Sequence, residues 1–153
     1  MKLQKQTLIA LLATLELARD PARQVSVGEI AEAYGVSVNH LAKVMRDLGR
    51  AGLVEAARGV GGGYRFAGNA KRISLYDVIG LFEDIAGGGG DLPLSAGASD
   101  IGRALSAVLR EVDEIAVATF KSISLATLLK SLERTRARDA ADAARSDTML
   151  ATR

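Results

Sequence analysis

The sequence predicts a mainly α fold with a small β-hairpin wing: a winged helix-turn-helix followed by a long C-terminal dimerisation helix. Two short helical patterns separated by Gly-Val-Ser at residues 35–37 are typical of a helix-turn-helix. Two short strand patterns follow, joined by the glycine-rich segment RGVGGG at residues 58–63. An amphipathic pattern over residues 100–121 then predicts a long helix whose apolar stripe pairs with a second subunit.

Composition limits the classes of protein to which this chain can belong. Apolar residues make up 48% of the 153 residues and aromatic residues only 4%, so the core must consist mainly of aliphatic side chains. The chain contains no cysteine, which excludes disulfides, thiolate metal sites and a cysteine nucleophile. No apolar run approaches the roughly 20 residues that a membrane span needs. We therefore expect a cytoplasmic protein with no membrane partner.

Positive charge is concentrated in the first half of the chain. Up to Arg72 there are eleven Lys and Arg against six Asp and Glu, whereas the whole chain carries a net charge of only +2. The remainder is close to neutral. This uneven distribution predicts an anionic partner for the first half, and double-stranded DNA is the obvious candidate.

The start of the chain is expected to form an amphipathic helix. Apolar residues recur at helical spacing from Leu8 to Ala18, which predicts a helix over about residues 5–18. A signal peptide is the alternative interpretation. Glu16 and Arg19 interrupt the apolar run, however, and no small-residue cleavage site follows it.

Capping residues mark both helices of the helix-turn-helix. Ser26 and Glu29 form a capping-box pattern, which predicts a helix over about residues 27–34 that ends at the following glycine. Ser37 caps the next helix, which is predicted to extend from about Val38 to Ala51. This second helix has an apolar stripe on one side and basic residues on the other.

Two strands and a further helix complete the predicted winged domain. Strands are expected at about residues 53–57 and 64–67, and the many glycines between them would let the backbone lie close to another surface. Ser74 and Asp77 form a second capping box. This pair predicts a helix that ends near Ile85.

The longest predicted helix begins after Ser99 and extends from about Asp100 to Lys121. Its apolar stripe is long for a helix that packs on so small a domain, so we expect the same helix of a second subunit to cover it. The predicted dimerisation residues are Ile101, Leu105, Val108, Leu109, Val112, Ile115, Ala116 and Phe120.

These elements divide the chain into four segments. Residues 1–85 are predicted to be the winged helix-turn-helix DNA-binding domain, and residues 86–99 a glycine-rich loop. Residues 100–132 are predicted to contain the dimerisation helix and a short terminal helix that ends near Leu132. Residues 133–153 have almost no large apolar side chain and are predicted to be disordered.

Three segments together carry a family resemblance: MKLQKQT at the start, VSVNHLAKVMRDLGRAGLVEAARGVGGGYRFA at residues 36–67, and ISLYDVI at residues 73–79. They resemble the IscR/NsrR-type (Rrf) family of bacterial winged-helix transcription regulators over roughly residues 1–132. The NHLAKV segment is most similar to the nitric-oxide-responsive NsrR branch. The resemblance implies a homodimer that binds a palindromic promoter site and usually holds an iron–sulfur cluster as its sensor.

The chain departs from this family at the positions of the cluster ligands. The resemblance implies three cysteines in the loop before the long helix, and the matching positions here are Ala86, Leu92 and Ala98. Many NsrR-like members also have an acidic residue where this chain has Leu8. Cluster iron requires thiolate or imidazole ligands, whereas this chain has no cysteine and a single histidine. We therefore predict no cofactor and no metal, and DNA binding that does not depend on iron.

The predicted DNA contacts come from the start of the first helix, from the second helix of the helix-turn-helix and from the wing. The predicted DNA-binding residues are Gln4, Lys5, Ser37, Asn39, His40, Lys43, Arg46, Arg50, Arg58, Gly59, Gly61 and Arg65. The end of the recognition helix that holds Asn39 and His40 is the end that enters the major groove in helix-turn-helix proteins.

Each of the helical residues has an alternative, purely structural role. Asn39 could pair with adenine or hold a phosphate, or it could act as an auxiliary cap. His40 could touch phosphate or pack under the turn. Lys43, Arg46 and Arg50 could bind phosphates or form an ordinary solvated face.

The remaining candidates lie on the wing and on the first helix. Arg58 beside flexible glycines can enter a minor groove, where narrow A·T tracts concentrate negative potential. Arg65 either faces phosphate or is simply exposed. Gln4, Lys5 and Thr7 could meet phosphate through side chains and free amides, or they could form a solvated first turn.

Other function classes are disfavoured. The wing glycines lack the Gly-Lys-Ser/Thr ending of a nucleotide-binding loop and do not open a helix. No Ser–His–Asp set or carboxylate pair stands out, so we predict that the chain is not an enzyme. The expected function is a transcription regulator, most simply a repressor. One alternative is a protein-interaction module, a regulator whose glycine-rich loop docks a metabolic enzyme and whose DNA binding is secondary. The other is a sensor that binds a small molecule between the DNA-binding domain and the long helix.

Overall fold

Six helices and one β-hairpin make up the part of the chain that the computed structural model describes, namely residues 2–85 and 99–151, with side chains to residue 141. The order of elements confirms the predicted fold class, mainly α with a two-stranded wing. The elements are α1 (Lys5–Arg19), α2 (Val27–Tyr34), α3 (Val38–Arg50), β1 (Val54–Ala57), β2 (Gly63–Phe66), α4 (Leu75–Ile79), α5 (Asp100–Ser122) and α6 (Leu125–Ala151).

Helix α1 lies at the centre of the core. It packs against α3, α4, β2 and the start of α6. Its Ala10, Ala13 and Leu17 side chains are completely buried, and small residues at two of these positions let the neighbouring elements approach closely. Leu125, the first residue of α6, is also completely buried in this core.

The capping residues take the roles that the sequence predicts. The Ser26 amide donates to Glu29 Oε2 at 2.8 Å, and the Glu29 amide donates to Ser26 Oγ at 3.1 Å. Hydrogen bonding of the Glu29 carboxylate, first with the Ser26 amide and then with the Ser26 side chain, lowers the pKa of Glu29. Gly35 ends α2 with φ of 60°, a conformation that glycine adopts without steric cost.

The wing is fixed to the connection between α1 and α2. Strands β1 and β2 pair antiparallel, with Glu55 opposite Arg65. Val25 forms an additional bridge to Tyr64, through N–O hydrogen bonds of 2.9 and 2.8 Å. The sequence does not predict this isolated β-bridge.

Helix α4 is shorter than predicted. It spans Leu75–Ile79, and Gly80 follows it as the C-terminal cap. The expected end near Ile85 is wrong, because glycine is a poor helix former and the chain turns there. The amides of Phe82 and Glu83 both donate to the Ile79 carbonyl, at 2.9 and 3.1 Å, so the backbone closes into turns.

Helix α6 is much longer than predicted. The sequence predicts a short helix ending near Leu132 and a disordered tail, whereas the helix continues to Ala151. The tail has few large apolar residues, but it is rich in Ala and Arg, which are strong helix formers. Among the described residues, no helix combines the length and apolarity needed to cross a membrane.

Candidate nucleic-acid interface

Helix α3 separates an apolar face from a polar, basic one. Its buried side chains are Leu41, Val44, Met45 and Leu48, all with no exposed surface. Asn39, Lys43, Arg46 and Arg50 are exposed, and their spacing of four, three and four residues places them on one stripe of the helix. The structure thus brings four of the predicted DNA-binding residues onto one continuous surface.

The start of α3 has its own cap. The Ser37 hydroxyl accepts a hydrogen bond from the His40 amide at 3.5 Å, so Ser37 takes the capping role. Asn39 is exposed and its side chain forms no hydrogen bond with any residue that the structure describes. The His40 side chain is half-buried. Asn39 is therefore available to an external partner, whereas His40 is only partly so.

The three basic residues of α3 differ in their neighbours. Arg50 forms an ion pair with Asp47, with 3.3 Å between Nη1 and Oδ1. Lys43 and Arg46 form no ion pair within residues 2–85 and 99–141. Their charge is consequently the less compensated part of the stripe.

The wing presents Arg58 together with an apolar tip. Gly59 and Gly61 have φ of 112° and 80°, conformations that favour glycine, and the exposed Arg58 precedes them. Val60 between these glycines is fully exposed. Val60 is not among the residues that the sequence predicts to bind DNA. An apolar residue between two glycines at a hairpin tip cannot reach the core. The Gly-Val-Gly pattern in the sequence could therefore have identified Val60 as an exposed apolar residue.

Arg65 is less available than predicted. It pairs directly with Glu55, the residue opposite it in the hairpin register. Both side chains are about half exposed, so the pair contributes little to stability but partly neutralises the guanidinium. Arg65 therefore belongs to the edge of the basic surface.

The start of α1 supports only part of its predicted role. Gln4 and Lys5 are exposed. The Gln4 amide, however, donates to Glu83 Oε1 at 3.0 Å, so a carboxylate already occupies this amide. Thr7 is completely buried, and its hydroxyl has no hydrogen-bond partner within the described structure. Thr7 therefore takes neither of the two roles left open for it, a phosphate contact or part of a solvated first turn, because the helical period turns it into the core.

Only three residues, 51–53, connect helix α3 to the wing. The Leu53 amide donates to the Leu48 carbonyl at 3.0 Å, and Gly52 between them has φ of 73°. Helix α3 packs on β1. The two basic groups, on α3 and beside Gly59, thus belong to consecutive and mutually packed elements.

Helix α5 carries an apolar seam that the rest of the described chain leaves uncovered. Five of the predicted dimerisation residues are exposed, at intervals of four and three residues: Ile101, Leu105, Val108, Val112 and Ile115. The other three, Leu109, Ala116 and Phe120, are half-buried. Alternating intervals of four and three are those of a coiled-coil seam.

The side chains do not fit an iron–sulfur cluster. Leu8, at the position of the expected acidic ligand, is exposed and apolar, while Ala86, Leu92 and Ala98 lie outside the described residues. The chain has no cysteine, and its single histidine, His40, lies on α3. Within the described residues, no three His, Cys, Asp or Glu side chains form a metal-binding group. Aliphatic side chains offer iron no electron pair.

Comparison with known proteins agrees with this geometry. The family model for Rrf2, described as an iron-dependent transcriptional regulator, matches residues 3–131. A protein of Rhodopseudomonas palustris named HTH-type transcriptional regulator BadM is 54% identical over 139 residues, which covers 89% of this chain and 86% of that protein. Both similarities are to transcriptional regulators and confirm that the chain is not an enzyme.

Solved structures show the same fold. The IscR protein of T. potens is 28% identical, with a TM-score of 0.71 over 88% of this chain and 90% of its own. The B. subtilis protein CymR (YrzC), described as the global cysteine regulator, has a TM-score of 0.73 over 86% of this chain and 98% of its own. Its identity of 22% supports the likeness in fold alone.

Proposed function

The chain belongs to the Rrf2 family of transcriptional regulators, and from this premise we propose that it is a repressor that binds a palindromic promoter site as a homodimer, without an iron–sulfur cluster. One observation carries the proposal: the exposed stripe of α3 is directly continuous with a glycine-rich wing that presents Arg58. The proposed setting is the bacterial cytoplasm, where the promoter DNA lies.

In the proposed complex, α3 enters the major groove. Its first turn holds Asn39, whose amide can pair with the N6 and N7 atoms of adenine. Lys43 and Arg46 follow on the same stripe and bind phosphates, because their charge is not shared with a carboxylate. Arg50 contributes less, since Asp47 competes for its guanidinium at 3.3 Å.

The wing occupies the adjacent minor groove. Arg58 places its guanidinium there, and Gly59 and Gly61 let the backbone approach the sugar–phosphate walls. Val60 at the tip offers an apolar side chain, and minor-groove proteins frequently insert such side chains between base steps. Negative potential in a narrow A·T-rich groove favours this arrangement.

The homodimer is supported by the seam of α5. Five exposed apolar residues on one stripe are unfavourable in water, and a second copy of α5 would cover them. A two-fold dimer places two copies of α3 symmetrically, so the preferred DNA site is palindromic. A dimer seated across a promoter excludes RNA polymerase, which is why we favour repression.

The regulator is proposed to work without a cluster because the ligands are replaced by aliphatic residues. DNA binding therefore depends on α3, the wing and the dimer alone. The signal that controls it must act elsewhere on the chain.

Arg58→Ala tests the assignment of the wing. We expect specific DNA binding to weaken by about tenfold or more, and non-specific binding to weaken much less, because base-sequence selection is lost together with one charge. Fluorescence anisotropy with a selected genomic site and with a scrambled duplex measures both affinities. Arg138→Ala, an exposed arginine of α6, is the matched control and should change neither. Equal losses on both duplexes would reduce Arg58 to a phosphate contact.

A further inference from the structure

A cavity of about 400 Å³ lies between α1, the end of α2 and the first turns of α6. Its apolar wall consists of Leu12, Leu15, Leu128, Leu129 and Leu132. This volume is at the lower end of the range, about 300–1,000 Å³, that holds small ligands in proteins. The wall therefore suits a compact apolar group, and none of these leucines belongs to the proposed DNA interface.

Polar groups converge at one side of this cavity. The Tyr34 hydroxyl donates to Glu16 Oε2 at 2.9 Å, and both residues line the space. Burial, with a further contribution from Glu16, raises the pKa of Tyr34 to about 12. The Glu16 carboxylate is thus already engaged, and Tyr34 stays protonated at physiological pH.

Arg19 and Arg136 also line the cavity, together with Glu133. Neither arginine forms an ion pair with any side chain that the structure describes. Glu16 keeps its negative charge while it accepts the Tyr34 hydrogen bond, so two carboxylates and two guanidinium groups line the cavity. Since no carboxylate of the described residues forms an ion pair with Arg19 or Arg136, these two guanidinium groups can pair with the anionic group of a ligand.

We propose that this cavity binds a small organic anion with an apolar body, which lies against the leucines while its anionic group pairs with Arg19 and Arg136. An apolar pocket with a few convergent polar groups is the usual form of a small-molecule site. A guanidinium group supplies charge-assisted hydrogen bonds to a carboxylate.

The position of the cavity gives such a ligand a route to the DNA interface. Tyr34 is the last residue of α2, and α3 begins four residues later at Val38. Helix α6 follows the proposed dimerisation helix after Ile123 and Ser124. A ligand that contacts α2 and α6 changes the free energy of their relative placement, and this placement affects the affinity for DNA. By thermodynamic linkage, bound DNA changes the affinity for the ligand by the same factor. This regulatory meaning rests on the proposed function, whereas ligand binding itself does not.

A second copy of the chain is the competing occupant of the cavity. If a partner's apolar side chain filled the space in the homodimer, the cavity would admit no ligand. Calorimetry on the full chain with octanoate decides between these cases, and octanamide, which has the same shape but no charge, is the matched probe.

We expect octanoate to bind once per subunit, and octanamide to bind at least about tenfold more weakly because it forms no ion pair. Arg136→Ala and Arg19→Ala should each weaken octanoate binding about tenfold and leave octanamide unchanged. Arg138→Ala, two residues away on α6 and outside the lining, should alter neither affinity. Leu132→Trp, at a half-exposed position, should fill the cavity and abolish both.

Absence of octanoate binding, or binding that Leu132→Trp leaves intact, would overturn the proposal. Equal binding of octanoate and octanamide would overturn the role of the two arginines. DNA affinity of the same proteins, measured with and without octanoate, separates this inference from the proposed function. A protein that binds DNA but not octanoate contradicts only the ligand site, and one that binds octanoate but no DNA contradicts only the regulator.

Discussion

Gly63 lies so close to the α1–α2 connection that no side chain fits there. A Cβ at this position would be 2.6 Å from the Val25 carbonyl oxygen. This contact lets Tyr64 bridge to Val25 and fixes the base of the wing to the domain. The glycine is thus required for packing within the chain, while Gly59 and Gly61, with positive φ, shape the tip.

Gly63→Ala should therefore destabilise the fold. We expect a loss of about 2 kcal/mol in the free energy of unfolding, because the backbone of Val25 must move to admit a methyl group. Gly28→Ala is the control, since its Cβ would meet only the Ser26 hydroxyl, at 3.8 Å, within a helix. That change should stabilise by about 0.5–1 kcal/mol. Urea unfolding of both variants checks the sign, and a stable Gly63→Ala would contradict the packing role.

The hydrogen bond between Tyr34 and Glu16 predicts a change at alkaline pH. The pKa of Tyr34 is raised from 10.0 to about 12, so its stabilising contribution is complete below pH 10 and is lost as pH rises toward 12. Tyr34→Phe should remove this part of the pH dependence and cost about 1 kcal/mol near neutral pH. Ultraviolet titration should show a phenolate transition near pH 12 that the variant lacks. A transition near pH 10 for Tyr34 would contradict the geometry.

Individual residues were predictable from sequence where the cause is local. Ser37 is an example, because a cap needs only the first turn of its own helix. The burial of Thr7 and the exposure of Val60 depend on where whole elements lie, which single-residue chemistry does not determine. The pairing of Arg65 with Glu55 follows from the register of the hairpin. This register could not be predicted from the sequence, because the glycine-rich loop between the strands is long.

At the scale of elements, α3 is expected to carry most of the electrostatic affinity for DNA. Lys43→Ala and Arg46→Ala should each reduce the slope of log K against log salt by about 0.9 per lost phosphate contact. Arg50→Ala should have a smaller effect, because Asp47 already compensates its charge. Anisotropy titrations between low and moderate salt give these slopes, with Arg134→Ala on α6 as control. If the three α3 variants and the Arg134→Ala control all had the same slope, the proposed role of α3 in DNA binding would be contradicted.

Helix boundaries were predictable where a cap marks them and not elsewhere. The starts of α2, α3 and α5 coincide with Ser26, Ser37 and Ser99, each of which accepts a hydrogen bond from the first turn. The end of α4 at Gly80 could have been read from the glycine itself. The length of α6 could not be inferred from apolar periodicity, because the exposed part of this helix has no apolar stripe. Helix formation there depends on the helix propensity of its residues.

For the whole molecule, we propose that the seam of α5 determines the assembly state. Val108→Glu should raise the dimer dissociation constant roughly 100-fold or more, since two carboxylates would face each other across the seam. Ala107→Glu, beside it but off the seam, should leave the dimer intact. Light scattering over a range of concentrations measures both. A wild-type monomer, or a dimer unaffected by Val108→Glu, would contradict the role of this helix.

The separation along the chain between the basic residues of α3 and the wing and the apolar seam of α5 was predictable from charge and periodicity. The cavity between α1 and α6 was not, because it depends on the return of the chain after Ile123. The Leu125 amide donates to the Ile73 carbonyl at 2.9 Å and the Ala126 amide to the Ala70 carbonyl at 2.9 Å, which fixes α6 against the domain. Such long-range pairing leaves no pattern in the sequence.

The affinity of the full chain for duplex DNA tests the central claim most directly. Anisotropy should be measured with a selected genomic site, with its isolated half-site and with a scrambled duplex, at moderate salt. We predict two subunits on the full site, with an affinity at least about 1,000-fold above that for the scrambled duplex. The half-site should bind clearly more weakly than the full site. Equal affinity for all three duplexes would contradict sequence-specific recognition by a symmetric dimer.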